Sequence, residues 1–336
     1  LKAENFVKGM MGEIEPMQRD SERTCANLHE LNSAIPDSGR GDCRFQFSTF
    51  RMQCALIFLC AVFLGALSCR AFVLEIDADT GARLHWPVEE SVPRRMAPIR
   101  FFLVDEGWSA TNRAAELNAV RAAFGQWQSI SGTLLRFEEG GVLRTRADMI
   151  DPADGTNIVR WINTRGLING GTVSLDGILG LTLASYRADG TMLGADIVLN
   201  GAEFDWFTDF NDRNSSAFFA ETTLLHEIGH LLGLDHSPAG AALMHPRGGP
   251  GVDARFGIGA DEIAFARASY GVSAADAALA HLAGKVTMRG AAVFGTAVAV
   301  EDAAGNLLAT TVSGAGGDIR FQRIAARGAE RPRVAA

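Results

Sequence analysis

The chain has 336 residues, 47% of them apolar and 21% charged, which is enough for one sizeable core and a second, smaller one. Its formal net charge of -8, with the arginines scattered, gives no general attraction to polyanions, so nucleic acid is not expected as a partner. All five cysteines (Cys25, Cys43, Cys54, Cys60 and Cys69) lie at the start of the chain, which excludes a disulfide scaffold, a thiolate metal site and a cysteine nucleophile from everything after Cys69.

Residues 1–51 are polar and lack sustained periodicity, and they read as disordered or as a non-native upstream extension. A signal peptide is expected over 52–71. Arg51 precedes an apolar run from Cys54 to Leu67, shorter than the roughly 18 to 20 residues of a membrane-spanning helix, and Ser68-Cys69-Arg70-Ala71 offers small residues for cleavage before Phe72. Ala66-Leu67-Ser68-Cys69 also loosely resembles a lipobox, so a lipid anchor on Cys69 is the alternative to free secretion. Both readings export the protein, to the periplasm or to the extracellular space.

The body is expected over 72–273. Residues 84–96, with Pro87 and Pro93, read as an extended lead-in, and Ile99, Phe101 and Leu103 alternate as in a strand. Ser109 is the expected cap of a helix whose Leu117, Val120, Phe124 and Trp127 make one apolar stripe. Short strands are expected at 134–137 and 157–162. A hairpin is expected where Ala188-Asp189-Gly190 separates the apolar runs 181–186 and 192–199. After a polar loop, 217–232 reads as a helix burying Leu224, Leu225, Ile228, Leu231 and Leu232, and Gly233 ends it. A last helix is expected over 257–270, with Ile263, Phe265 and Ala266 inward and Gly271 as its stop. Glycine-separated runs at 285–288, 297–300, 307–312 and 319–321 suggest a small β-sandwich over 282–324.

Three of the seven histidines fall in the eleven residues His226-Glu227-Ile228-Gly229-His230-Leu231-Leu232-Gly233-Leu234-Asp235-His236, of the form H-E-x-x-H-x-x-G-x-x-H. Four residues make about one helical turn, so His226 and His230 face one ion together. A ligand one turn further on would be displaced along the axis. Gly233 can adopt the left-handed conformation that ends the helix and brings His236 back. Three neutral imidazoles leave a tetrahedral zinc with one open position, the arrangement of a catalytic rather than a structural site. Glu227 lies beside the ligands without being needed as one, placed to act as general base in peptide-bond hydrolysis.

This motif resembles that of the metzincin metalloproteases, and its surroundings resemble the matrixin branch. Ser237, the stretch Ala242-Leu243-Met244-His245-Pro246, the strand region Gly194-Ala195-Asp196-Ile197 and the segment from Asp261-Glu262-Ile263 to Tyr270-Gly271 carry the likeness, over roughly residues 84 to 271. The resemblance implies an α+β fold: a twisted, mostly parallel sheet with an antiparallel edge strand, an active-site helix and a C-terminal helix. It also implies that Met244 forms an apolar floor beneath the histidines and that His245 is not a ligand. A cysteine switch and a histidine-rich loop, present in vertebrate members, are not found, so the likeness is to the bacterial type. Residues 282–324 resemble carboxypeptidase-regulatory-like or transthyretin-like sandwiches, which would either give the chain a contact with a cell surface or matrix or serve as a simple structural extension.

Zinc is thus the expected cofactor and a polypeptide the expected substrate, laid along the edge of the sheet. Calcium is a further candidate at Asp205, Asp209 and Asp212. Two other readings stand beside the endopeptidase: a thermolysin-like enzyme with Glu262 as third ligand, and a non-catalytic, zinc-stabilised adhesin or binding module.

Overall fold

The computed structural model describes residues 4–12, 72–91, 93–107, 109, 112–145, 149–168, 171, 173–212, 216–252, 257–272, 279–301, 306–325 and 331–333. The expected signal peptide lies outside them, and no helix among the described residues is long and apolar enough to cross a membrane.

The main elements, in chain order, are β1 (Glu4–Gly12), β2 (Ile99–Val104), α1 (Arg113–Gln128), β3 (Phe137–Leu143), β4 (Asn157–Ile162), β5 (Ile178–Tyr186), β6 (Met192–Asn200), α2 (Ala220–Leu231) and α3 (Ala260–Tyr270). One sheet holds all six strands in the order β1-β5-β6-β4-β2-β3, with the short strand Arg247–Gly248 beyond β1. Strands β3, β2, β4 and β6 are parallel, and β5 runs antiparallel to β6. The outer edge of β5 is taken by β1, antiparallel from Glu4 opposite Tyr186 to Met10 opposite Gly180. Arg247 and Gly248 pair in parallel with Met11 and Gly12. Glu4–Gly12 thus forms a strand within the stretch 1–51 expected to be disordered or a non-native extension, the rest of which lies outside the described residues: an open sheet edge satisfies backbone groups that a lone segment leaves to water.

Alternation along the strands sends side chains to two cores. Val159, Trp161, Ala195, Ile197, Leu199, Ala184 and Tyr186 point toward the helices, while Ile158, Ile162, Val198, Leu181 and Leu183 fill the opposite face. The predicted stripe of α1 is buried as expected, with Phe124 stacked on Phe101 at 3.9 Å between ring centroids. Its start differs. The N-cap is Asn112, and Ser109 sits a turn upstream, its Oγ accepting from the Asn112 amide at 3.0 Å and donating to Glu116 at 2.5 Å. The hairpin forms between β5 and β6, closed by Gly190 N–H to Arg187 O at 2.8 Å with Gly190 at φ +82.

Residues 72–91, which include the start of the lead-in, are part of this body. Phe72 is buried with its ring 5.2 Å from Phe265, and Leu74 bridges Leu234. Beyond α3 come β7 (Leu279–Lys285), β8 (Ala297–Glu301), β9 (Leu307–Val312), β10 (Asp318–Ala325) and β11 (Arg331–Arg333). They pair as two small sheets, β7 with β10 and β9-β8-β11. Their buried side chains Val298, Val300, Ala309 and Phe321 belong to the same core cluster as α2 and α3. These strands share a core with α2 and α3.

Asp196, on β6, is fully buried on the face opposite the helices, where its Oδ1 accepts from the Ile158 amide at 3.0 Å. Burial pushes its carboxyl from the usual 3.8 up to about 8, helped by the charges of Asp154 and Asp151 and opposed by the Ile158 amide. The folded state then holds a proton the unfolded chain releases, so this stability is present below pH 3.8 and lost as pH rises through about 8. Asp196→Asn is expected to remove a pH dependence of about 1 kcal/mol per unit across that interval. Urea unfolding at pH 5 and pH 7.5 checks it, and an unchanged pH slope in the variant refutes it.

Candidate metal centre

Helix α2 is buried on nearly every face because it lies between the sheet and α1. Leu224, Leu225, Ile228 and Leu231 are buried, and the Trp127 indole N–H of α1 donates to Leu225 O at 3.0 Å. A helix so enclosed has no solvated side for stray histidines, yet His226 and Glu227 are fully buried and His230 is 4% exposed. Burial of this kind requires partners. The Nε2 atoms of His226 and His230 stand 3.1 Å apart, close to the roughly 3.3 Å between two nitrogens at 2.0–2.1 Å on a tetrahedral zinc.

The helix ends as the sequence demands. The Gly233 amide donates to His230 O and the Leu234 amide to Gly229 O, both at 2.9 Å, with Gly233 at φ +97. A Cβ on Gly233 would stand 2.3 Å from the carbonyl oxygen of Leu84, so conformation and space both require glycine. Carbonyls left over at this end are met by side chains: Trp86 donates from its indole to Leu231 O at 2.8 Å, and the Tyr270 hydroxyl to Leu232 O at 2.6 Å. The returning strand is then stitched down by Glu75 N–H to Gly233 O and Asp235 N–H to Val73 O, each 2.9 Å. His236 arrives with its ring centroid 5.3 Å from that of His226 and 4.8 Å from that of His230.

Donor chemistry fits a metal. His226 Nδ1 is 2.8 Å from Leu243 O and His230 Nδ1 is 2.7 Å from Leu234 O. A carbonyl only accepts, so each Nδ1 carries the proton and each neutral ring turns an Nε2 lone pair inward. Two such lone pairs facing each other repel unless a cation lies between them. With His236, the three imidazoles place one nitrogen each within 4.8 Å of one another, and this is the only group of that kind among the described residues.

Met244 is buried against α2, where a Cβ on Gly229 would stand 2.3 Å from its sulfur. The Met244 amide donates to Glu262 Oε1 at 3.3 Å, and its carbonyl accepts from the Ser237 amide at 2.8 Å. Glu227 lies toward the sheet: Thr182 of β5 donates from its hydroxyl to Glu227 Oε2 at 2.7 Å, and a Cβ on Gly180 would stand 2.9 Å from Oε1.

A family model described as matrixin matches residues 97–271, more than half of the chain. The chain belongs to the matrixin family. A stretch of 56 residues is 48% identical to "Matrix metalloproteinase-B" of Caenorhabditis elegans, covering 16% of this chain and 11% of that protein. The chain thus spans about a tenth of the length of the curated relative it matches. A crystal structure of metalloproteinase-II from Bacteroides fragilis is 15% identical, covering 56% of this chain and 53% of that one with a TM-score of 0.26.

Of the residues that the sequence of this matrixin singles out, His226, Glu227, His230, Gly233, His236 and Met244, the fold gathers the three histidines. Glu262 is not among the gathered groups. Its Oε1 faces the Met244 amide and its Oε2 accepts from the Gly259 amide at 3.0 Å, which corrects its reading as a thermolysin-like third ligand. His245 also stands apart, its Nδ1 accepting from the Arg247 amide at 3.3 Å. Asp205, Asp209 and Asp212 are exposed, and Asp209 accepts from the Asn211 amide at 2.9 Å. Thr182, Trp86 and the contact between Gly229 and Met244 were not foreseen. The one hint of Thr182 is a lone hydroxyl in the otherwise apolar run 178–184.

Gly233→Ala is expected to cost at least about 2 kcal/mol of stability and to weaken zinc binding, because backbone strain and a backbone collision coincide there. Gly229→Ala meets only the flexible end of Met244 and should cost less while keeping the fold. Denaturant midpoints with zinc content compare the two, and a Gly233→Ala protein as stable as the parent overturns the assignment of that turn.

Proposed function

We propose that this matrixin is a secreted zinc-dependent endopeptidase, with His226, His230 and His236 as the metal ligands and Glu227 as the general base. The observation that carries this reading is the convergence of the three imidazoles beside a buried carboxylate anchored to the sheet. Zinc held there supplies a Lewis acid that polarises a carbonyl and acidifies water. Glu227 accepts the proton given up by the attacking water and delivers it to the amide nitrogen as the C–N bond breaks. The water oxygen ends on the acyl carbon, and the carboxylate is regenerated. Thr182 holds that carboxylate in one orientation throughout, and Met244 supports the imidazoles from below.

A polypeptide substrate fits the outer edge of β5, whose backbone groups accept an extended chain, as the pairing of Glu4–Gly12 illustrates. That strand precedes the signal expected at 52–71, so cleavage before Phe72 would take it away and open the edge to substrate. Export carries the enzyme to the periplasm or beyond, free or anchored through Cys69. The C-terminal strands offer a surface for contact with a cell or matrix. Calcium at Asp205, Asp209 and Asp212 would bring a second cofactor, on carboxylates that are exposed and separate from the imidazole centre.

Purified protein is expected to cleave casein or a quenched peptide and to lose that activity to a chelator. Glu227→Ala should retain zinc by elemental analysis while kcat/KM falls about 10²- to 10⁴-fold. A zinc-loaded variant that keeps full activity removes Glu227 from its role. A zinc-loaded parent that cleaves nothing makes the chain a binding module.

A further inference from the structure

The third histidine is held from both sides by segments lying outside residues 97–271, the part that the matrixin model matches. On one side Asp235 N–H donates to Val73 O, in the segment before the lead-in. On the other, Ser237 contacts the C-terminal strands. Its Oγ is 2.9 Å from Oγ1 of Thr310 on β9 and 3.5 Å from Oδ2 of Asp261 on α3. Thr310 in turn donates its amide to Asp261 Oδ1 at 2.8 Å and its hydroxyl to Oδ2 at 2.5 Å. Strand β9 is the outer member of its small sheet among the described residues, and on its outer side Asp261 accepts from the Thr310 amide.

Asp261 shares the first turn of α3 with Glu262, whose carboxylate faces the Met244 amide. Two adjacent carboxylates thereby reach the two loops that frame the metal centre: Asp261 the residue after His236, Glu262 the buried Met244. Thr310, Asp261, Ser237 and Glu262 are each no more than 3% exposed. In such surroundings an unmet polar atom costs about 1–3 kcal/mol, so the network tolerates few alternative geometries.

We propose that Thr310 is a positioning residue of the metal centre, fixing His236 through Asp261 and Ser237, and that the C-terminal strands are in this way a working part of the enzyme. The proposal rests on the zinc-ligand assignment made under the proposed function. It extends that assignment to a residue that touches neither metal nor substrate.

Thr310→Val, which keeps the volume and removes the hydroxyl, tests it, with Thr310→Ser as the variant that restores the link. Three readouts are needed: zinc affinity by chelator competition, the visible spectrum of the cobalt(II)-substituted protein, and kcat and KM separately. Thr310→Val is expected to weaken zinc binding about 10- to 100-fold, to shift the cobalt spectrum, and to lower kcat with KM little changed. Thr310→Ser should return all three toward the parent. Val300→Ala, in the neighbouring strand and outside the network, should lower Tm while leaving affinity and spectrum unchanged. If Thr310→Val unfolds, Ser237→Ala removes the other end of the link with little change of volume and is expected to give the same shift.

Native affinity and spectrum in a folded Thr310→Val or Ser237→Ala protein overturn the proposal, as does a Val300→Ala protein showing the same losses. A parent that binds zinc in this way but cleaves no peptide defeats the endopeptidase reading alone, because affinity and spectrum still report on the brace.

Discussion

Bringing three uncharged imidazole nitrogens into a few ångströms of buried space is the constraint around which this protein is organised. Each ring needs its second nitrogen satisfied, each must be denied its other rotamers, and the backbone that carries them must change direction within three residues. Carbonyls of Leu243 and Leu234 meet the first need for two of the rings. Close packing of α2 against the sheet and α1 meets the second. The third rests on Gly233, where a side chain fits neither the dihedral angle nor the space left by Leu84.

Support for the centre comes from distant parts of the chain. Trp86 and Tyr270, far apart in sequence, converge on the carbonyl end of α2, and the Tyr270 hydroxyl also accepts from the Trp86 amide at 3.3 Å. Burial pushes the Tyr270 phenol well above its ordinary value, so it remains a donor at every working pH. The segment before residue 97 and the strands after residue 271 both fasten the loop that carries His236. A metal centre assembled mainly from one short motif is thus held in register by much of the chain.

How much of this could be read beforehand depended on whether the physical cause was local. Periodicity along one helix located the paired histidines, and the glycine three residues on announced the turn. Alternation and an Asp-Gly pair located β5 and β6. Strand β3 runs over Phe137–Leu143 where the sequence suggests 134–137, because Gly140 and Gly141 read as a loop. Yet the Phe102 ring lies where a side chain on Gly140 would go, so the glycine serves close approach between strands. The cap of α1 is Asn112, three residues after the expected Ser109, because both are good caps and only tertiary structure shows Ser109 bonded to Glu116. Thr182 and Thr310 were invisible for a simpler reason: each acts on a residue 45 or more positions away, and no local pattern encodes that.

Strand β5 carries one further physical consequence. Of the five strands β2 to β6, it and β3 are the two that lack a neighbour on one side among the described residues of the family-matched region, and β1 supplies that neighbour for β5. Whatever frees this flank exposes a ladder of amides and carbonyls that does not discriminate by side chain, so another molecule of the same protein can dock there as readily as a foreign one. Solubility at high concentration and the capacity to receive an extended guest are therefore set against each other by the same row of backbone atoms.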